Sequence, residues 1–249
     1  MSPKIAVITP YYKESDEILL QCHESVLKQL GDFDVKHFMI ADGHPNENAR
    51  SWDCNHTTLK TSHSDNGNTP RAIGCLLAKN ENYDFITFLD ADNWYHENHI
   101  SSLMQTFSEK KRRVITSFRT FHLPDGTFLD ISEASEDALR HVDTSCILLH
   151  KSAFHINDLW SMMPKPLSPI CDRVFMAGVR HKELGFVSTE QRTVAFRTQY
   201  AYHYRQAGLN PPSEVKGEDI LEPSFKYMRT VQGISDCIKT MGFWPPTYL

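Results

Sequence analysis

The sequence predicts an α/β fold with a mostly parallel central sheet and helices on both faces. Short apolar strands alternate with amphipathic helices over roughly the first 90 residues, an order typical of such sheets. An apolar run at residues 85–89 leads directly into two carboxylates, Asp90 and Asp92. The length of 249 residues and the 40% hydrophobic content are sufficient for a sizeable core. We therefore expect a single domain.

The first half of the chain supplies the regular part of this sheet. Apolar or β-branched runs predict strands, and apolar residues at helical spacing predict helices. Glycine-containing turns, such as Asp42-Gly43 and Asn66-Gly67, separate several of these elements. The predicted strands cover residues 5–9, 35–41, 57–61 and 85–89, and the predicted helices cover residues 16–30 and 68–79.

The strict alternation ends after Trp94. Strand patterns occur on both sides of the turn at residues 124–126, and Gly185 ends a helical pattern. The polar, proline-containing loop at 210–223 is interpreted either as a mobile lid or as an ordinary connection. The predicted helices here cover 96–111 and 172–184, and the predicted strands cover 114–122, 127–131 and 142–150.

Asp90 and Asp92 predict a metal site. In α/β sheets, ligands bind beyond the carboxyl ends of the strands, where this pair would lie. Two carboxylates so close together repel each other unless a cation lies between them. Oxygen ligands favour Mg²⁺ or Mn²⁺, which often bridge to substrate phosphates. The same spacing at Asp32 and Asp34 lies in a polar turn and is interpreted as a solvated loop.

Composition narrows the classes of partner. The net charge of −5 argues against a nucleic-acid polymer, because proteins that follow phosphate backbones carry basic stripes. Six cysteines without metal-ligand spacing, and no signal-peptide pattern, favour a cytoplasmic protein. The aromatic tail at 241–249 offers a contact to a membrane surface or to a second copy of the chain, and docking on its own domain is the alternative.

Several motifs occur in one order along the chain, at residues 5–12, 24–27, 40–43, 66–71, 89–92 and 171–173. Together they resemble the inverting GT-A glycosyltransferases of the family 2-like group. The similarity covers most of residues 4–205. It implies a GT-A fold with a Rossmann-like sheet and a smaller acceptor-side part. The expected parts are a nucleotide-binding half at about 1–95, an acceptor-binding half at 96–205, and a C-terminal loop and helix at 206–249.

The resemblance implies donor-binding roles for five residues besides the aspartate pair. Thr9, Pro10 and Tyr11 would shape the pocket for the nucleotide base. Asp42 would accept hydrogen bonds from uracil or ribose, and Arg71 would neutralise the diphosphate. Each has a simpler interpretation: Tyr11 as packing, Asp42 as a turn residue and Arg71 as a surface helix charge.

The metal and catalytic roles are implied in the same way. Asp92 would be the stronger ligand of Mn²⁺ or Mg²⁺, Asp90 would face the ribose or a bound water, and His203 is the candidate third ligand. Asp172 is the candidate general base, with a helix N-cap as its alternative. Cys171 stands where the family commonly has a second acid. Ala41 likewise replaces a frequent acid, which leaves the donor base less well defined.

These observations predict a metal-dependent glycosyltransferase. It would transfer a sugar from a nucleotide-diphospho donor, with a UDP-sugar expected, to an acceptor hydroxyl with inversion. The acceptor is a glycan, a lipid-linked molecule or a small molecule. The alternatives are a haloacid-dehalogenase-like phosphohydrolase, a nucleotidyltransferase and a non-catalytic sugar-nucleotide binding module. The phosphohydrolase motif usually has Thr or Val after its aspartates, whereas in this sequence Asn93 and Trp94 follow Asp92.

Overall fold

A computed structural model describes residues 2–133, 136–138, 140–217 and 219–249 of the chain. Residue 218 of the predicted lid loop therefore lies outside the described residues. The strands are β1 (Lys4–Tyr11), β2 (Asp34–Ala41), β3 (Asn55–Thr58), β4 (Phe85–Phe88), β5 (Trp94–Tyr95), β6 (Val114–His122), β7 (Phe128–Leu129), β8 (Ile147–His150) and β9 (Phe186–Arg197). The α-helices are α1 (Asp16–Leu27), α2 (Asn68–Asn80), α3 (His99–Lys110), α4 (Leu159–Met162), α5 (Cys171–His181), α6 (Ala201–Gln206), α7 (Glu222–Met228) and α8 (Val231–Met241).

The described strands form one mixed sheet in the order β3-β2-β1-β4-β8-β6-β9-β5, with β7 paired to β6. Strands β1 to β4 are mutually parallel, as the alternating pattern predicts. Strand β8 then enters antiparallel between β4 and β6, and β6 pairs in parallel with β9. The α/β fold class is confirmed, and the second half of the sheet departs from the parallel arrangement.

Several predicted elements differ from the structure, and one strand was not predicted. Strand β3 begins two residues before the predicted position. The strand predicted at 142–150 is reduced to β8, because the Asp143 carboxylate accepts a hydrogen bond from the amide of Ser145 and starts a 3-10 turn instead. Strand β9 was not predicted, since six consecutive polar residues, 188–193, interrupt its apolar pattern.

The C-terminal tail packs on its own domain. Phe243 is buried and stacks on His181 of α5, with ring centroids 4.7 Å apart. The Tyr248 hydroxyl lies 2.9 Å from His181 Nδ1, and its carbonyl accepts from Arg180 Nε at 2.8 Å. The alternative of docking on its own domain is therefore the one observed. No helix of the described residues is long and apolar enough to span a membrane.

Candidate active site

Three parallel strands end at the same edge of the sheet and bring distant residues together there. Tyr11 at the end of β1 is in register with Ala41 at the end of β2, and Ile8 is in register with Phe88 of β4. The residues that follow, Asp42 and Asp90, therefore emerge beside Tyr11. This is the edge where α/β sheets bind ligands.

Two cavities open at this edge and share a wall. The β1 cavity, of about 460 Å³, is lined by residues that include Pro10, Tyr11, Tyr12, Glu14, Asp42 and Ser64. The α5 cavity, of about 420 Å³, is lined by residues that include Arg119, Glu133, His141, Asp143, Asp172 and Tyr200. Both cavities are lined by Asn66, Arg71, Asp90, Asp92 and Lys216. A molecule that occupies both would therefore pass the aspartate pair.

Asp90 is held by Arg71 and by Ser145, which come from two distant parts of the chain. Its Oδ1 accepts from Arg71 Nη2 at 2.5 Å, and its backbone amide donates to the Ser145 hydroxyl at 3.1 Å. Arg71 is only 3% exposed. Burial alone would lower the pKa of the Arg71 guanidinium, but Asp90 outweighs this effect and raises it. The interpretation of Arg71 as a surface helix charge is therefore wrong.

Asp92 differs from Asp90 because, within the described parts of the chain, no arginine or lysine donates a hydrogen bond to its carboxylate. Its Oδ2 accepts one hydrogen bond from Gln199 Nε2 at 3.2 Å. Burial, together with the charges of Asp90 and Glu14, raises the pKa of Asp92 to about 7, and Lys216 partly offsets this effect. A cation would bind favourably at such a carboxylate, because its positive charge would offset the desolvation cost of burial and the repulsion from the neighbouring carboxylates.

The donor set fits a divalent cation of the kind that binds mainly through substrate phosphates. Mg²⁺ in such sites takes only one or two carboxylates from the protein. Asp92, with Asp90 beside it, would supply those ligands at the wall shared by the two cavities. A complete protein cage is absent: no three His, Cys, Asp or Glu side chains are grouped for a metal within the described ranges.

His203 is not assembled with the aspartates into a three-ligand set. It lines the α5 cavity, but it is only 4% exposed. Its Nδ1 lies 2.6 Å from the Thr198 hydroxyl, and its Nε2 lies 3.5 Å from Glu133 Oε2. Both ring nitrogens therefore have partners of their own. The role of His203 as a third metal ligand stays a prediction, and its contact with Glu133, which is far from it in sequence, was not foreseen.

The three residues at the end of β1 have different environments. Pro10 and Tyr11 line the β1 cavity. The Tyr11 hydroxyl is fixed by His56 Nε2 at 2.6 Å and by the amide of Asn46 at 2.9 Å. Thr9 is fully buried, and its hydroxyl lies 2.7 Å from His37 Nε2. Thr9 therefore supports the cavity from behind and does not line it.

Asp42 holds the loop that follows β3 in place through hydrogen bonds. Its carboxylate accepts from the amide of His63 at 3.1 and 3.0 Å and lies 2.7 Å from His63 Nδ1. The Ser62 hydroxyl donates to Oδ2 at 3.1 Å. Burial alone would raise the pKa of Asp42, but the hydrogen bonds from His63, Ser64 and Ser62 hold it below its usual range. Asp42 thus shapes the wall of the β1 cavity as an anion.

Asp172 lies in the first turn of α5 and lines the α5 cavity. Its Oδ1 accepts from the amide of Arg173 at 2.8 Å, and its Oδ2 lies 3.3 Å from His141 Nε2. Burial would raise the pKa of Asp172, but His141 and Arg173 hold it below its usual range. Asp172 is therefore an anion in the cavity that Asp90 and Asp92 also line.

A family model described as "Glycosyl transferase family 2" matches residues 6–167, which is well over half of the chain. The chain belongs to this family. The match includes both aspartates of the shared wall and ends shortly before Asp172. It confirms the predicted family and places the chain among glycosyltransferase enzymes. The phosphohydrolase and nucleotidyltransferase alternatives therefore do not apply.

A curated relative in the family is the glycosyltransferase GlyG of Streptococcus pneumoniae serotype 4. It is 28% identical over 135 residues, which are 51% of this chain and 43% of GlyG. The aligned segment thus spans less than half the length of that relative.

Solved structures of S. aureus TarS share the fold of this family 2 chain. TarS 1–349 in complex with UDP is 11% identical to this chain, with a TM-score of 0.59. The match covers 95% of this chain and 72% of that TarS chain. The complex with UDP-GlcNAc is 12% identical with a TM-score of 0.55, and the coverage is 95% of this chain and 73% of TarS. The likeness confirms the predicted GT-A architecture.

Sequence reasoning missed an ionic cluster in the second half of this family 2 domain. Arg119 is 4% exposed and donates to Asp143 Oδ2 at 2.9 Å, Glu133 Oε2 at 2.6 Å and Glu136 Oε1 at 3.1 Å. Burial raises the pKa of Asp143 to about 6, although Arg119 counteracts it. Isolated charges spread over residues 119–143 have no periodicity, so only the fold reveals that they meet.

Proposed function

We propose that this chain transfers a sugar from a nucleotide-diphospho sugar to an acceptor hydroxyl, with inversion at the anomeric carbon. The observation that carries the proposal is the arrangement of two cavities that meet at Asp90, Asp92 and Arg71, with Asp172 in the second cavity. A UDP-sugar is the expected donor. The TarS structures with UDP and UDP-GlcNAc support this choice, since they share the fold.

The β1 cavity suits the nucleotide. Pro10 and Tyr11 offer an apolar wall for a base, while the loop fastened by Asp42 offers polar groups for the base or ribose. The diphosphate would then lie at the shared wall, beside the cations Arg71 and Lys216. Asp92 and Asp90 would hold Mn²⁺ or Mg²⁺, which when bound neutralises the charge that grows on the leaving diphosphate.

The α5 cavity suits the acceptor. A hydroxyl placed there would give its proton to the Asp172 carboxylate while its oxygen bonds to the anomeric carbon. The bond from that carbon to the diphosphate oxygen breaks on the opposite side, so the configuration inverts. Aromatic residues of the cavity wall, Phe196, Tyr200 and Tyr202, offer faces against which a sugar ring can pack.

Calorimetric titration tests the donor site. UDP, GDP and CDP are titrated in turn into the full chain with Mn²⁺, and each titration is repeated with EDTA. We expect manganese-dependent binding of UDP. The proposal fails if none of the three nucleotides binds, and binding of GDP or CDP alone corrects the donor base. Release of UDP from UDP-GlcNAc, followed by NMR of the anomeric product, then tests the stereochemistry.

A further inference from the structure

His141 lies between two carboxylates in the α5 cavity, a position that no motif in the sequence marked. Its Nε2 is 3.3 Å from Asp172 Oδ2, and its Nδ1 is 3.5 Å from Glu133 Oε1. Arg173 Nη2 lies 3.4 Å from the same Nδ1. The His141 side chain is only 9% exposed. The imidazole is therefore held on both sides by charged groups.

These contacts fix the direction in which His141 donates. A carboxylate can only accept, so the contact with Asp172 requires a proton on Nε2. In the neutral ring, Nδ1 then accepts from Arg173. In the charged ring, Nδ1 carries a proton and donates to Glu133. The Nε2–H group points at Asp172 in both protonation states, so the hydrogen bond persists when the ring gains or loses a proton.

We propose that His141 is the positioning residue of the general base, Asp172. The inference rests on the proposed function, in which Asp172 removes the proton of the acceptor. With Oδ2 held by His141 and Oδ1 by the amide of Arg173, the carboxylate has a fixed orientation. Each oxygen keeps a further lone pair for the acceptor hydroxyl.

Glu133 positions His141 in turn. Its Oε2 accepts from Arg119 at 2.6 Å, and the Oε1 atom faces His141. The order carboxylate, imidazole, carboxylate resembles the way a buried acid orients the histidine of other catalytic sites. The charged and titratable groups around His141 and Asp172 are Glu133, Asp143, Cys171, Arg173 and Tyr200. Arg119 and His203 contact Glu133 in turn.

The arrangement has a consequence for pH dependence. Burial would raise the pKa of Asp172, and the hydrogen bond and charge of His141 are the first causes that lower it. Loss of His141 should therefore raise this pKa. The base would then become protonated at a higher pH, so the acid limb of the turnover profile would move upward. A residue that only stabilises the fold would lower turnover equally at every pH.

The experiment compares wild type with His141→Gln and His141→Ala in the full chain. Glutamine retains an N–H donor without a charge, while alanine removes both. Carboxyl carbon NMR follows the titration of Asp172, whose signal is identified by its loss in Asp172→Asn. His155→Gln is the matched control, because His155 is exposed and lies outside both cavities. Denaturant unfolding confirms that each variant is folded.

We expect the titration midpoint of Asp172 to rise in His141→Gln and to rise further in His141→Ala. With UDP-GlcNAc as the probe, we expect UDP release in His141→Ala to fall at least about tenfold in kcat, with KM for the donor unchanged. An unchanged midpoint overturns the inference. If wild type releases no UDP from any nucleotide sugar, the proposed function fails, and the carboxyl titration still decides the role of His141.

Discussion

Arg71 Nη2 and Asp90 Oδ1 lie 2.5 Å apart, and this partly buried ion pair separates the roles of the two aspartates. Asp90 has a fixed cationic partner, whereas Asp92 does not. The guanidinium also packs 5.3 Å above the ring of Trp160, which limits its movement. Asp92 is therefore the carboxylate that is available to a cation, and Asp90 is the one that anchors the wall.

The first prediction concerns Arg71. Arg71→Lys should weaken UDP binding by at least about tenfold, because an ammonium cannot reproduce the planar guanidinium that contacts Asp90, Asn66 and Asn68. Calorimetry with Mn²⁺ measures the change. Arg50→Lys is the control, since Arg50 makes an exposed pair with Glu47. Equal UDP affinity in wild type and Arg71→Lys would contradict the prediction.

The second prediction concerns Asp92 and pH. Its pKa of about 7 lies above the value of an unfolded aspartate, so its contribution to stability is full at low pH and is lost as pH rises toward 7. Binding of Mn²⁺ requires the deprotonated form, so metal-dependent UDP affinity should increase from pH 6 to pH 8.

Asp92→Asn should abolish the metal dependence of UDP binding. It should also reduce the fall in the free energy of unfolding between about pH 4 and pH 7. Calorimetry and urea unfolding measured across this range provide the two readouts. Asp158→Asn, at an exposed position outside both cavities, should behave as wild type. A metal-dependent UDP affinity that persists in Asp92→Asn would remove Asp92 from the ligand role.

The third prediction concerns Asp172. Asp172→Asn should leave binding of UDP with Mn²⁺ intact and reduce transfer by about 10²- to 10⁴-fold, because the amide cannot accept the proton of the acceptor. Calorimetry and release of UDP from UDP-GlcNAc separate the two effects. Normal turnover in the variant would exclude Asp172 as the base.

The fourth prediction concerns Lys216, which lines both cavities. Its backbone is fixed against the chain at Gln199 and Ala201, by hydrogen bonds of 2.7 and 2.9 Å. Because the ammonium lies where we place the diphosphate, Lys216→Met should weaken UDP binding several-fold and leave uridine binding unchanged. Lys239→Met, on the exposed side of α8, is the control. Equal losses for UDP and uridine would indicate a general effect of the loop.

The fifth prediction concerns the C-terminal tail. Phe243→Ala should lower the free energy of unfolding by about 3 kcal/mol, because the ring is buried against α5. Phe128→Ala, at a ring that is 56% exposed, should change it by less than about 0.5 kcal/mol. Denaturant unfolding measures both. A loss in Phe243→Ala no greater than in the control would show that the tail is not docked in solution.

The parallel half of the fold follows from local patterns. Strands β1 and β4 and the second half of β2 are mainly apolar and buried, because both faces of a parallel sheet are covered by helices. The position of Asp90 at the end of such a run was therefore predictable. Strand β9 was not, since its burial comes from pairing with β6 rather than from its own composition.

The sequence by itself determined the family motifs, the order of the first four strands and the position of the aspartate pair at a strand end. Tertiary structure decided which charges meet: Arg71 with Asp90, Glu133 with His203, and His141 with Asp172. These partners are between 19 and 70 positions apart, and single polar residues have no period that reveals a contact. Their pairing depends on how loops close over the sheet edge, because buried charges must find partners there.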